Sequence, residues 1–110
     1  MIKTYIILLI AIFFEVAGTM LLPVSNNFTK LLPTVALALF YLSSFYLMTF
    51  VMDKIPIAIV YATWSGLGVF TIAFLGYFFF KQNLSWQSVM GLILIVFGVI
   101  LVNSYAIKPN

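Results

Sequence analysis

The stretch YIILLIAIFFEVAGTMLL, residues 5–22, decides the fold class of this chain. As a helix rising about 1.5 Å per residue, this apolar run is long enough to cross a ~30 Å hydrocarbon core. Glu15 lies near its middle, and the run contains no basic residue to neutralise it. A charge at that depth costs about 2.5–3.5 kcal/mol on insertion scales, so a lone acid there is by default a functional group. Glu15 is therefore the first candidate site residue.

Three further apolar runs follow the first and are separated from one another by short polar breaks. The four runs predict helices at roughly residues 4–22, 31–51, 57–80 and 86–105. With 65% hydrophobic and 6% charged residues, the chain lacks the polar surface that a soluble domain of 110 residues needs. The sequence thus predicts an all-α integral membrane protein, with residues 1–110 forming a single membrane domain of four transmembrane helices.

The polar breaks carry signals for helix ends. Pro23 predicts the end of the first helix, and Asn26 and Asn27 tolerate left-handed backbone geometry. Thr29 and Ser85 precede the second and fourth runs and are predicted to cap those helices.

Composition argues against several classes of function. The chain has no histidine and no cysteine, which removes the commonest metal ligands and the commonest general base. Its five lysines are scattered singly, whereas nucleic-acid binding needs clustered basic groups. We therefore expect no enzyme activity, metal, cofactor or nucleic-acid partner.

Lysine placement bears on the orientation of the chain in the membrane. The predicted topology puts Lys3, Lys54 and Lys108 on one side and Lys30 and Lys81 on the other. Three lysines against two hardly favour either orientation under the positive-inside rule. We expect insertion in both orientations.

Small and hydroxyl residues share the helical face of Glu15. Ala11, Gly18 and Thr19 lie three or four residues from it, so a ligand or another helix can approach the carboxylate closely. Small residues in membrane helices also serve plain packing, and that alternative stays open.

The third run carries an aromatic face. Tyr61, Trp64 and Gly68 are spaced at three and four residues, and aromatic rings attract organic cations by about 0.5–2 kcal/mol each. Tyrosine and tryptophan also anchor helices at membrane interfaces, which is the alternative reading. Gly66 and Gly68 are candidates for a conformational hinge.

The fourth run looks like a seam between helices. Gly91, Leu94, Gly98 and Leu101 form one stripe of small and apolar residues, which predicts a dimer contact. Asn103, near the end of this run, is expected at the membrane interface.

Taken together, several motifs resemble the small multidrug resistance family of bacterial exporters. They are EVAGT at 15–19, Ile-Pro at 55–56, YATWSGLG at 61–68, and the stripe from Gly91 to Gly98. The resemblance covers the whole chain. It implies an antiparallel, dual-topology dimer of four-helix subunits in the bacterial plasma membrane, which exchanges protons for cations by alternating access.

The resemblance also implies a set of site residues. In that family the acid of the first helix binds either a proton or the substrate, and here that acid is Glu15. The candidate substrate-binding positions are Tyr5, Ala11, Gly18, Thr19, Tyr41, Ser44, Tyr61 and Trp64.

The chain departs from the family pattern in its loops. Pro23 stands where many relatives have lysine, Asn27 where they have glycine, and Gln82 where an acid is frequent. The Gly18-Thr19 pair is similar to the branch that exports quaternary ammonium compounds, although polyamine exporters share it.

These observations predict a secondary transporter that exports lipophilic or quaternary-ammonium cations in exchange for protons. The alternatives are a guanidinium or polyamine exporter of the same fold, or one half of a heterodimeric pair. A passive pore or a structural membrane subunit would instead use Glu15 as a lining or assembly residue.

Overall fold

The computed structural model describes residues 2–106, and four helices make up most of them. The helices are α1 (Ile2–Val24), α2 (Leu31–Met52), α3 (Ile57–Phe80) and α4 (Trp86–Ser104). Each is long and apolar enough to cross a membrane, and no β-strand occurs within residues 2–106. The predicted all-α membrane fold with four spanning helices is confirmed. Lys108, which enters the lysine comparison, lies outside the described residues.

The helix bounds differ little from those expected. α1 extends two residues further at each end, α2 ends one residue later, and α4 ends one residue earlier. Pro23 does not stop α1 directly, because it lies in the last turn and the helix ends at Val24.

The loop after α1 is a left-handed turn. Asn26, Asn27 and Phe28 have φ values of 50°, 58° and 66°, which confirms the geometry expected of the asparagine pair. Phe28 is an unusual residue for this region, since its bulky side chain disfavours positive φ. Ser25 braces the turn, because its Oγ accepts from the Phe28 N–H (3.2 Å) and donates to the Leu22 carbonyl (2.7 Å).

One of the two predicted caps is present. Ser85 precedes α4 and its Oγ accepts a hydrogen bond from the Ser88 N–H, as expected. Thr29 does not cap α2, so that prediction is wrong. Its hydroxyl donates instead to the Asn26 carbonyl at 2.7 Å, a local bond that competes with capping.

The chain divides between Val51 and Met52 into two compact units, each built on one helix pair. In the first unit, the buried residues Leu8, Ala11 and Ile12 of α1 are spaced three or four apart and so share one helical face. In the second unit, the buried residues of α3 include Val60, Thr63 and Gly66. Many of the other large apolar side chains are exposed, as expected of helices that face lipid.

Candidate functional site

Glu15 is held by the hydroxyl of a residue one turn further along α1. The Thr19 Oγ1 donates a hydrogen bond of 2.8 Å to the Glu15 Oε1. Both side chains are half-buried, and Glu15 is the one acid within the four helices, since Asp53 follows the end of α2. The first helix therefore presents a single ionisable group in an apolar setting.

A tyrosine of α2 completes this group of side chains. The Thr19 Oγ1 and the Tyr41 Oη lie 2.8 Å apart, which is hydrogen-bond distance. The Tyr41 ring is nearly parallel to that of Phe45, with 6.2 Å between the ring centroids. Glu15, Thr19 and Tyr41 thus form one network across α1 and α2.

Gly18 makes room for the Tyr41 ring. A Cβ added at Gly18 would lie 3.0 Å from the Tyr41 Cε1 and 3.1 Å from its Cδ1, tighter than ordinary van der Waals contact. The glycine is therefore a close-approach position, and a larger residue would require the ring to move.

Ala11 and Ser44 form a second contact between α1 and α2. The Ser44 Oγ donates to the Ala11 carbonyl at 2.7 Å, and both residues are 0% exposed. These two predicted site residues are thus engaged with each other. Tyr5, the remaining candidate of α1, is half-buried and lies ten residues before Glu15.

The aromatic candidates of α3 are neighbours. The rings of Tyr61 and Trp64 have centroids 5.6 Å apart and planes inclined at 51°. Tyr61 is exposed and Trp64 is half-buried. The pair forms an aromatic surface on the second unit.

The two glycines proposed as a hinge lie inside an unbroken helix. Both are buried, and a Cβ added at Gly66 would collide with the Val99 Cγ2 of α4. Gly66 therefore allows α3 and α4 to approach closely. A hinge at Gly66 and Gly68 stays a prediction.

The small-residue stripe of α4 is open in this chain. A Cβ added at Gly91 or Gly98 would meet nothing within 4 Å, and Leu94 and Leu101 are exposed. This face is available for contact with another helix.

A polar contact between α3 and α4 joins two residues that lie outside the predicted site. The Asn103 Nδ2 donates to the Thr63 Oγ1 at 2.7 Å and to the Val99 carbonyl at 2.9 Å. Asn103, expected at the membrane interface, is half-buried and bonded to α3. The sequence shows a polar residue in each of two apolar runs, Thr63 and Asn103. Whether these two residues pair depends on how the helices pack. Within residues 2–106 no cluster of potential metal ligands occurs.

Four spanning helices and a lone carboxyl within the first of them define a multi-pass membrane protein with an ionisable site. The family model described as Small Multidrug Resistance protein matches residues 3–95. The chain belongs to this family of transporters, and the names of its homologues support a drug efflux transporter.

Relatives with informative names cover most of the chain. The multidrug transporter EmrE of Escherichia coli is 41% identical over 90% of this chain and 90% of its own length. The quaternary ammonium compound-resistance protein QacH of Staphylococcus saprophyticus is 37% identical over 92% of this chain and 94% of its own length. The nicotine metabolites export pump subunit NepA of Paenarthrobacter nicotinovorans is 44% identical over 91% of this chain and 86% of its own length.

Proposed function

We propose that this chain exports lipophilic or quaternary-ammonium cations in exchange for protons, and that Glu15 binds the proton and the cation alternately. The observation that carries the proposal is the half-buried Glu15, the one acid within the four helices, with its Oε1 held by Thr19. Two relatives of this chain are named for multidrug transport and for resistance to quaternary ammonium compounds.

The exchange follows from the cost of an unpaired charge. A carboxylate in an apolar setting is unfavourable unless a proton or a cation neutralises it. A cation that pairs with Glu15 therefore displaces the proton, and a returning proton displaces the cation. This cycle couples export to the proton gradient without any covalent step, so no enzyme chemistry is required.

Aromatic rings would favour organic cations over small inorganic ones. The Tyr61 and Trp64 rings offer π faces, as does Tyr41 beside Thr19, and each cation–π contact contributes about 0.5–2 kcal/mol. We propose the substrate-binding set Tyr5, Ala11, Gly18, Thr19, Tyr41, Ser44, Tyr61 and Trp64. In this structure Ala11 and Ser44 are fully buried, so their part in binding would require α1 and α2 to separate locally.

We further propose that the transporter is an antiparallel homodimer in the bacterial inner membrane. The open stripe of Gly91, Leu94, Gly98 and Leu101 supports a helix contact with a second copy. Two oppositely inserted identical copies would have inward-open and outward-open states of equal energy by symmetry, and their inverted arrangement resembles the inverted repeats of larger transporters. Gly66 and Gly68 are proposed to bend α3 between these states.

Reconstitution into liposomes with a pH gradient tests the exchange. The wild-type chain alone should accumulate quaternary ammonium compounds against their gradient, whereas Glu15→Gln should transport none because it has no carboxyl. Asp53→Asn is the matched control, since Asp53 is the other acid of the chain and lies exposed in a loop. Gradient-driven accumulation by Glu15→Gln would contradict the assignment. A panel that includes guanidinium and polyamine substrates decides between the branches of the family.

A heterodimer is the second candidate, because the relative NepA is named as a pump subunit. Cysteine labelling separates the two arrangements, and the native chain has no cysteine to interfere. As labelling sites we choose Thr29 and Asp53, which are exposed and which precede and follow α2. The loop residue Ser25 is unsuitable as a labelling site because it is 1% exposed.

About half of each single-cysteine variant, Thr29→Cys or Asp53→Cys, should react with an impermeant thiol reagent if both orientations occur. Labelling of only one of the two sites would show a fixed orientation and would favour a missing partner chain. Gly98→Leu should yield monomers in crosslinking experiments, and dimers that persist would argue against the α4 seam.

A further inference from the structure

The carboxyl of Glu15 lies at the end of a chain of hydroxyl groups that begins on a different helix. We propose that Tyr41 and Thr19 are positioning residues that orient the Glu15 carboxylate, and that the Tyr41 hydroxyl acts on Glu15 only through Thr19. This inference builds on the proposed function by naming the groups that set the geometry of its ionisable site. Its test uses no substrate, so its outcome is separate from that of transport.

A count of hydrogens shows which group donates in each hydrogen bond of the hydroxyl chain. A threonine hydroxyl has one hydrogen to donate, and the Glu15 Oε1 has none, whether the carboxyl is ionised or carries a proton on Oε2. The Thr19 hydrogen is directed to the Glu15 Oε1 at 2.8 Å. The 2.8 Å contact between Thr19 and Tyr41 must then use the Tyr41 hydrogen and a lone pair of the Thr19 Oγ1. The donors therefore run from Tyr41 to Thr19 to Glu15.

The chain of hydroxyl groups has two physical consequences for the Glu15 carboxyl. A hydroxyl that accepts a hydrogen bond becomes a stronger donor, so Tyr41 strengthens the bond from Thr19 to Glu15. The bond to Oε1 also fixes the plane of the carboxylate and leaves Oε2 as the oxygen that meets a proton or a cation. Tyr41 in this way influences an oxygen that it does not touch.

The hydroxyl chain from Tyr41 to Glu15 requires a residue without a side chain at position 18, and Gly18 meets this requirement. The Tyr41 ring lies so close to α1 that a Cβ at Gly18 would be 3.0 Å from the ring Cε1 and 3.4 Å from the Leu37 carbonyl oxygen of α2. Any side chain at residue 18 pushes the ring away from α1 and lengthens the contact between its hydroxyl and Thr19. Gly18 thus influences Glu15 indirectly, through the positions of Tyr41 and Thr19.

The composition of the chain makes the test specific. Glu15 is the one glutamate in the sequence, since Asp53 is the other of the two acids. Cell-free synthesis with glutamate labelled with ¹³C at its carboxyl therefore gives a carboxyl signal that reports Glu15. We propose to record this signal by NMR in lipid bilayers, without substrate, in variants that remove one hydroxyl at a time.

We expect Thr19→Val to shift the Glu15 signal and Thr19→Ser, which keeps the hydroxyl, to restore it. Tyr41→Phe should shift the signal in the same direction by a smaller amount, because its ring is kept and only the distal hydroxyl is lost. The double variant of Thr19→Val with Tyr41→Phe should match Thr19→Val alone, because the proposal transmits the effect of the Tyr41 hydroxyl through Thr19. Gly18→Ala should resemble Tyr41→Phe.

Thr71→Val is the matched control, because the Thr71 hydroxyl bonds only locally to the Leu67 carbonyl of α3, and its removal should leave the signal in place. An unchanged signal in Tyr41→Phe would overturn the proposal, and so would a double variant whose shift equals the sum of the single shifts. If Thr19→Val does not fold, the shifts predicted for Tyr41→Phe and Gly18→Ala still test the proposal. A wild-type signal in both Gly18→Ala and Tyr41→Phe would leave no role for the hydroxyl chain.

Discussion

The α1–α2 and α3–α4 helix pairs have the same kinds of contact between their helices, but the surroundings of these contacts differ. Each places a glycine against a larger residue of its partner helix, Gly18 against Tyr41 and Gly66 against Val99. Each also has a polar bond between its helices. In the α1–α2 pair the contacts lead to an ionisable carboxyl, whereas in the α3–α4 pair the bond joins the neutral side chains of Thr63 and Asn103.

We propose that this difference separates a unit with a chemical role from a unit with a structural role. A glycine beside a reactive group controls where that group points, while a glycine between two apolar helices controls how close they come. We therefore expect substitutions in the first unit to change proton–cation exchange, and most substitutions in the second unit to change stability. Trp64 is the expected exception, because its ring can contact a cation.

The largest effect on stability is expected at Gly66. In Gly66→Ala the new Cβ collides with the Val99 Cγ2, and overpacking of this kind typically costs about 1–3 kcal/mol. The free energy of unfolding, measured in mixed micelles with increasing denaturing detergent, should fall by that amount. Val99→Ala added to Gly66→Ala should recover part of the loss. A stability equal to the wild type in Gly66→Ala would show that α3 and α4 are not in close contact at this point.

A smaller effect is expected on ligand affinity when the tryptophan of α3 is removed. Trp64→Leu keeps the helix apolar but loses a π face, so binding of aromatic cations should weaken about 2- to 30-fold. The matched control is Trp86→Leu, which removes the other tryptophan, an exposed residue at the start of α4. Titration calorimetry in detergent measures both. Equal affinities for Trp64→Leu and the wild type would assign Trp64 to packing.

The smallest effect is expected at the neutral polar bond. Asn103→Leu removes the donor to Thr63, and bonds between membrane helices contribute about 0.6 kcal/mol on average. Unfolding should shift by that amount, while proton-coupled transport continues at a rate close to that of the wild type. Ser104→Ala, which loses only a local bond to the Ile100 carbonyl, serves as the control. Loss of proton coupling in Asn103→Leu would mean that the second unit also takes part in the chemistry.

The sequence predicts those features that depend on local pattern. The four helices follow from runs of apolar residues, and the Ser85 cap follows from a hydroxyl placed just before such a run. Glu15 is identified as a candidate site residue because a lone acid in an apolar helix is energetically costly. Thr29 shows the limit of the same reasoning, since a hydroxyl near a helix start has several local acceptors to choose from.

Contacts between helices could not be predicted in this way. The bond from Ser44 to Ala11 joins residues 33 positions apart, and the bond from Asn103 to Thr63 joins residues 40 positions apart. Which residues face each other depends on the rotation and register of packed helices, and apolar composition alone does not specify either. The close approach of Val99 to residue 66 gives Gly66 a packing role that the sequence does not reveal, while a hinge at this glycine stays a prediction.

Proton release on binding tests the central claim most directly. The purified chain in weakly buffered detergent solution is mixed with a lipophilic quaternary ammonium ion, and the pH is followed with an indicator. In the proposed exchange the cation takes the place of the Glu15 proton, so the wild-type chain should acidify the solution in proportion to the cation bound, and Asp53→Asn should do the same. Glu15→Gln should release no proton. Proton release by Glu15→Gln equal to that of the wild type would contradict the claim that Glu15 exchanges a proton for a cation.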